Sequence, residues 1–74
     1  MEMRITQRTA QDDYHAQLIA QGMENAGADV FAITSDVRGN FQVYCMHRPA
    51  IGADRIDQEI GAEVAAKAVH YSAR

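Results

Sequence analysis

The first residues alternate between apolar and polar side chains, which is the pattern of a short strand. Residues 3–8 place the apolar Met3 and Ile5 on one side, because successive side chains of a strand point to opposite faces. The other side carries Arg4 and Arg8. Since a sheet buries its apolar side, the pattern predicts that Met3 and Ile5 face the core and that the two arginines face away from it.

A helix is predicted over residues 10–26, where apolar residues recur every three or four positions. Thr9 stands three residues before Asp12, a spacing typical of a helix N-terminus with an acid in the first turn. Gly27 follows the last apolar position. It is expected at the C′ position, where a residue with positive φ commonly ends a helix.

Residues 29–35 and 40–46 are rich in β-branched and aromatic side chains and predict a β-hairpin. The polar connection between them, residues 36–39, ends in a glycine. Pro49 is expected to end the pairing of the second of these strands, because proline has no amide hydrogen to donate.

A second helix is predicted over residues 55–74, with Asp54 as its cap. Gly61 within it is expected to allow close packing against a neighbour. The apolar positions of this helix form an i, i+4 stripe that consists of Ile56, Ile60, Val64, Ala68 and Tyr71.

The predicted order is strand, helix, strand, strand, helix, in a single domain that spans residues 1–74. This order predicts a small α+β two-layer sandwich, in which both helices cover one face of a sheet of about three strands. The order of the strands within the sheet stays open. With both helices on the core side, the opposite face of the sheet is left uncovered.

The uncovered face is the first candidate contact surface. Alternation assigns the bulkier residues of the hairpin to the core, namely Phe31, Ile33, Phe41, Val43 and Cys45. The uncovered face then combines aromatic, apolar and basic candidates for partner binding, which are Arg4, Arg8, Tyr44, Met46 and Arg48, with Val30 beside them. Tyr and Met beside Arg is a composition that interface cores favour. The alternative is a solvated face with ordinary exposed apolar side chains.

Composition makes self-association an expectation. The chain has 74 residues and a hydrophobic fraction of 47%, but thirteen of these residues are alanine and none is tryptophan. A short chain with a thin core gains stability from a partner. The sequence therefore predicts a homodimer, formed through the uncovered face or through an open sheet edge.

The charge is acidic, with a net value of −3 and a pI near 5.4, which argues against general binding to nucleic acid or to anionic membranes. The net negative charge lies in the helical segments, where Asp57, Glu59 and Glu63 could contact a basic partner. Their alternative role is to solvate the helix. A second candidate function is a nucleic-acid-binding regulator, in which Tyr44 stacks on a base and the arginines of the uncovered face neutralise phosphates.

The sequence offers little catalytic chemistry. Cys45 is the sole cysteine, which favours a reducing compartment and a cytoplasmic location, and no apolar run is long enough for a membrane span. Cys45 and His47 share a strand face and could bind a metal with His15 or His70, but their spacing matches no usual zinc arrangement. A nucleophile elbow and a phosphate-binding glycine loop are both missing. We therefore expect no catalytic residue, metal or cofactor, and no enzyme, although a composite site at Cys45 and His47 of a dimer is a third alternative.

The sequence thus predicts a small non-enzymatic protein-binding module that acts by occupying the surface of a partner. Short acidic single-domain proteins without catalytic motifs are often accessory or inhibitory proteins of phages and mobile elements, including blockers of host defence complexes. This expectation rests on the association of such proteins with small size and negative charge, and it is not deduced from any particular residue.

Overall fold

A computed structural model describes the backbone of residues 2–72 and the side chains of residues 2–67. The elements occur in the predicted order, as β1 (Arg4–Ala10), α1 (Asp13–Asn25), β2 (Asp29–Ser35), β3 (Phe41–His47) and α2 (Ala53–Ser72). Helix α1 packs on all three strands, and α2 packs along α1 on the same side of the sheet. The predicted two-layer α+β sandwich is therefore confirmed.

The sheet is antiparallel, with the strand order β1-β3-β2. The central position of β3 explains its burial, since Val43 and Cys45 are fully buried on the helix side. Strands β1 and β2 form the two edges. Strand β1 pairs with β3 without interruption, whereas a β-bulge between Val30 and Ala32 interrupts the pairing of β2.

The register of β1 shows that its predicted faces are reversed. Residues directly opposite each other in an antiparallel pair share a face. The register pairs three residues of β1 with buried residues of β3: Arg4 with His47, Thr6 with Cys45, and Arg8 with Val43. Ile5 instead lies opposite Met46 on the side away from the helices and is 60% exposed. Alternation separates the two sets correctly, but only the partner strand determines which set the helices cover.

The bulge in β2 reverses two further assignments. Phe31, predicted in the core, is the extra residue of the bulge and is 52% exposed. Val30, predicted on the uncovered face, lies opposite Cys45 and packs against the core. Ile33 does lie opposite Val43, yet it remains 47% exposed. An extra residue shifts the alternation by one position, and strict alternation cannot anticipate that shift.

The two helices cross at Gly22. A Cβ atom at this position would lie 2.5 Å from the Cα atom and 2.7 Å from the backbone nitrogen of Ile60, so only glycine permits this approach. Gly61, to which the sequence assigned this role, is exposed, and none of the described atoms lies within 4 Å of a Cβ built there. The close-packing glycine is therefore in α1 and not in α2.

The ends of the elements agree with the sequence in part. Gly27 has φ 96° after the C-cap of α1, and Gly39 has φ 87° in the hairpin turn, so both predicted glycine positions are confirmed. Thr9 is not a cap, because β1 continues to Ala10. The N-cap is Asp12, whose carboxylate accepts the N–H of His15 at 2.8 Å.

Helix α2 begins two residues earlier than predicted, at Ala53, so that Asp54 lies in its first turn and is not its cap. Ile56 and Ile60 of the predicted stripe pack against the core, as expected. The side chains of Ala68, His70 and Tyr71 lie outside the described part of the chain.

Candidate interaction surface

The side of the sheet that faces away from the helices carries an apolar centre. We call this surface the bare face, and the register assigns to it Ile5, Gln7, Thr9, Asp29, Ala32, Thr34, Gln42, Tyr44 and Met46. Phe31, the unpaired residue of the bulge, joins it through its ring contact with Tyr44. The rings of Phe31 and Tyr44 are neighbours, with centroids 6.2 Å apart and an interplanar angle of 43°. Among the described residues, no element of the fold covers this face. Ile5 and Phe31 are therefore candidate contact residues that the sequence pattern had assigned to the core.

The polar residues of the bare face are amides and hydroxyls. Gln7 donates a hydrogen bond from Nε2 to Thr9 Oγ1 at 3.0 Å, and Thr34 donates from Oγ1 to Gln42 Oε1 at 3.4 Å. Asp29, opposite Met46 at the start of β2, is the one charged side chain that the described register places on this side, at its corner. The carboxylate of Asp36, in the hairpin turn, accepts a hydrogen bond from Gln42 Nε2 at 3.2 Å at the margin of the face. The bare face is thus a nearly uncharged surface on an acidic chain.

Two of the predicted contact arginines lie on the helix side. The guanidinium of Arg8 donates from Nε and Nη2 to the two carboxylate oxygens of Asp57, at 2.7 and 2.9 Å, and from Nη1 to the carbonyl of Gln7. Arg4 lies opposite His47, and Arg48 is exposed in the loop after β3. Arg4 and Arg8 therefore do not flank Tyr44, which removes the arrangement on which the nucleic-acid alternative depended.

The three predicted contact acids of α2 all contact residues of their own chain. Asp57 holds Arg8 of β1, and Glu63 accepts a hydrogen bond from the amide of Asn25 in α1 at 3.0 Å. Glu59 lies 3.7 Å from Arg55 within the same helix. Because Asp57 and Glu63 connect α2 to β1 and α1, these two acids have a role in positioning the helix.

The Arg8–Asp57 contact predicts a specific dependence of stability on pH. The hydrogen bond from Arg8 lowers the pKa of the Asp57 carboxyl. An acid whose pKa is lower in the folded chain stabilises the fold above its unfolded value of about 4, and this contribution is lost as the pH falls through the folded value. Solvent screens the pair, because the two side chains are 33% and 52% exposed. We expect the contact to contribute about 0.5–1 kcal/mol.

Urea denaturation of Asp57→Asn and of the parent chain measures this contribution. The variant is expected to be less stable at pH 6, and the difference should disappear near pH 2. Glu59→Gln is the matched control, since its contact with Arg55 is a single exposed i, i+4 pair of smaller expected effect. A loss in Asp57→Asn that is equal at both pH values would show that the charge on Asp57 does not stabilise the fold.

His47 and Cys45 of β3 are buried and make contacts that are typical of structural residues. His47 is 4% exposed, and its Nδ1 lies 2.9 Å from the carbonyl of Arg48 while its Nε2 lies 2.7 Å from Thr6 Oγ1. Because a carbonyl only accepts, we assign the proton to Nδ1, and Nε2 then accepts from the Thr6 hydroxyl. Burial raises the pKa of the Cys45 thiol, which disfavours the reactive thiolate. In the described residues, no three His, Cys, Asp or Glu side chains are arranged to hold a metal ion.

Comparisons with family models, with curated proteins and with solved structures returned no match to this chain. Within residues 2–72, neither helix combines the length and the apolar character that crossing a membrane requires. The function of this chain is therefore inferred from the residues and the geometry of the bare face.

Proposed function

We propose that this chain is a non-enzymatic protein-binding module whose contact surface is the bare face. The observation that carries the proposal is the uncharged apolar centre around Phe31 and Tyr44, which remains on the surface of a chain whose two helices pack on the opposite side of the sheet. Exposed apolar patches rimmed by polar residues are typical of protein interaction sites.

The side chains of the bare face suit binding better than proton transfer. Tyr44 and Phe31 are rigid aromatic groups of the kind that dominate interface energetics, and Ile5 extends their apolar surface across the sheet to β1. The polar members are glutamine and threonine, which orient a partner by hydrogen bonds but are poor general acids and bases near neutral pH. A hydrogen-bonded sheet also holds the backbone of these residues fixed before binding, which lowers the entropy cost of association.

The narrower expectations stay predictions. An accessory or inhibitory role of the phage type, and a cytoplasmic location, rest on size, charge and the single cysteine. The bare face is compatible with such a role, because a small module with one rigid contact surface can act by covering the surface of a larger partner.

Affinity purification from the native host tests the proposal. A tagged parent chain and a Val37→Glu control, changed at a fully exposed residue of the hairpin turn, should retain the same co-eluting protein. Phe31→Glu should lose it, because a buried unpaired carboxylate at the centre of an interface is strongly unfavourable. Retention by Phe31→Glu combined with loss after charge reversal of Glu59 and Glu63 would place binding on α2 and overturn the proposal.

A further inference from the structure

We infer that the bare face is occupied by a second copy of this chain, in a two-fold symmetric dimer whose two sheets pack face to face. This inference rests on the proposed function, since it names the partner of the same surface. Three observations carry it: the distribution of charge, the kind of polar residues on the bare face, and the accessible area of the chain.

The distribution of charge favours a copy of the chain over a partner of strong charge. The chain has a net charge of −3, so two copies repel each other at long range, and an uncharged contact surface avoids adding close pairs of like charge to that repulsion. The bare face meets this condition, because the charged Arg4 and Arg8 of β1 lie on the helix side of the sheet. Asp29 lies at its corner and is exposed, so its carboxylate can stay in contact with water at the rim of the interface. A strongly basic partner would find almost no complementary charge on this surface.

The polar residues of the bare face are complementary to themselves. In a two-fold dimer the same patch contacts itself, so each polar group must be able to pair with a copy of a group in that patch. Gln7, Thr9, Thr34 and Gln42 each carry both a donor and an acceptor. Gln7 pairs with Thr9 and Thr34 with Gln42 within the chain, and Gln42 also donates to the carboxylate of Asp36. Such groups surround the apolar centre and can form hydrogen bonds across the dimer without an opposite charge.

The accessible area is sufficient for a small interface. The chain exposes 5061 Å², whereas a compact monomer of its mass is expected to expose about 4,500 Å². A contact that buried an area equal to this excess on each copy would remove roughly 1,000 Å² in total, which is near the lower limit of specific interfaces. The outer turns of α2, which are exposed as far as Lys67, account for part of this excess. The dimer is therefore expected to be weak, with a dissociation constant on the order of micromolar.

Face-to-face packing would bury the exposed aromatic residues of the bare face, whereas pairing of sheet edges would not. The uninterrupted edge of β1 could pair with another β1, but this arrangement would leave Phe31 and Tyr44 of both copies in water. Sheets that pack face to face lie about 10 Å apart and interdigitate their side chains. Tyr44, on the central strand, would then lie close to the two-fold axis.

Sedimentation of the full chain over a wide concentration range, from low micromolar to several hundred micromolar, tests the inference. The parent chain should shift with concentration from its monomer mass of 8.2 kDa to twice that mass. Ile5→Glu and Phe31→Glu change residues that are already 60% and 52% exposed, so both should fold, as circular dichroism would show, and both should remain monomeric.

Ile33→Glu is the matched control, because Ile33 is similarly exposed, at 47%, but lies on the helix side of β2. It should dimerise as the parent does. The dimer should also persist at high salt, since an uncharged apolar contact is not screened.

Two results would overturn the inference. A parent chain that stays monomeric at every concentration would exclude the dimer, and the proposed function would stand if Phe31→Glu still loses a co-purifying protein. A dimer that survives both Ile5→Glu and Phe31→Glu would join through a sheet edge or α2.

Discussion

Replacing Gly22 with alanine is expected to destabilise the chain by about 2–3 kcal/mol, although alanine favours helix more than glycine does by about 1 kcal/mol. The added methyl would lie 2.5 Å from the Cα atom of Ile60 and 2.7 Å from its backbone nitrogen. Both are main-chain atoms of α2, so no side chain can rotate to relieve the contact. The helices must separate, and the packing of Ile60 and Ile56 against the core is disturbed.

Thermal and urea denaturation, followed by circular dichroism, measure this effect. For a domain of this size, each kcal/mol lowers the melting temperature by about 4–8 °C, so a fall of roughly 10–20 °C is expected. Gly61→Ala is the matched control in the other helix, where the added methyl meets open space among the described residues. It should stabilise the chain by about 0.5–1 kcal/mol. Stabilisation by both substitutions would show that the helices do not cross closely at Gly22.

Replacing Ile56 with alanine is expected to cost about 2–4 kcal/mol, because it leaves a cavity in a well-packed region. Ile56 is fully buried and packs in the same cluster as Met23, Val43 and Cys45. Among the described residues, α2 contributes Ile56 and the partly buried Ile60 to this cluster, so the loss should also weaken the attachment of the helix. A chain of this length has a small free energy of unfolding, so we expect Ile56→Ala to be partly unfolded at room temperature.

Ile5→Ala is the comparison for Ile56→Ala. The sequence predicted that both isoleucines lie in the core, Ile5 from strand alternation and Ile56 from helical spacing. Ile5 is 60% exposed, so its truncation should change the free energy of unfolding of the monomer by no more than about 0.5 kcal/mol. Both variants are compared by urea denaturation at a concentration below that at which the parent dimerises. A large loss in Ile5→Ala under these conditions would contradict the register of β1.

Local patterns were sufficient for the elements and for several of their ends. The hairpin with Gly39 in its turn, the positive φ of Gly27 and the burial of Ile56 follow from residue types that act over a few positions. The N-terminus of α1 was misplaced because the spacing of Thr9 and Asp12 was interpreted as a cap followed by an acid in the first turn, whereas Asp12 itself is the cap. Pairing with β3 extends β1 to Ala10, and only Asp12 is then free to cap the helix.

The candidate site was harder to predict than the fold. Tyr44 and Met46 were placed on the bare face from alternation along β3, and the register agrees. Arg4 and Arg8 were assigned to the wrong face because the apolar Met3 and Ile5 of the same strand were expected to face the helices. The sequence contains no local sign that Asp57, 49 residues further along the chain, binds Arg8.

The sequence by itself determined the element order, the two-layer class and the thin core of a 74-residue acidic chain, because short-range periodicity and composition are sufficient for these. Only the tertiary structure decided which side of β1 is buried and that the bulge turns Phe31 outward. It also decided that the two helices make their close contact at Gly22. Each of these depends on the partner that a segment meets across the fold. The contact surface therefore became visible only when the strands were aligned, and it is more apolar and less basic than alternation alone predicted.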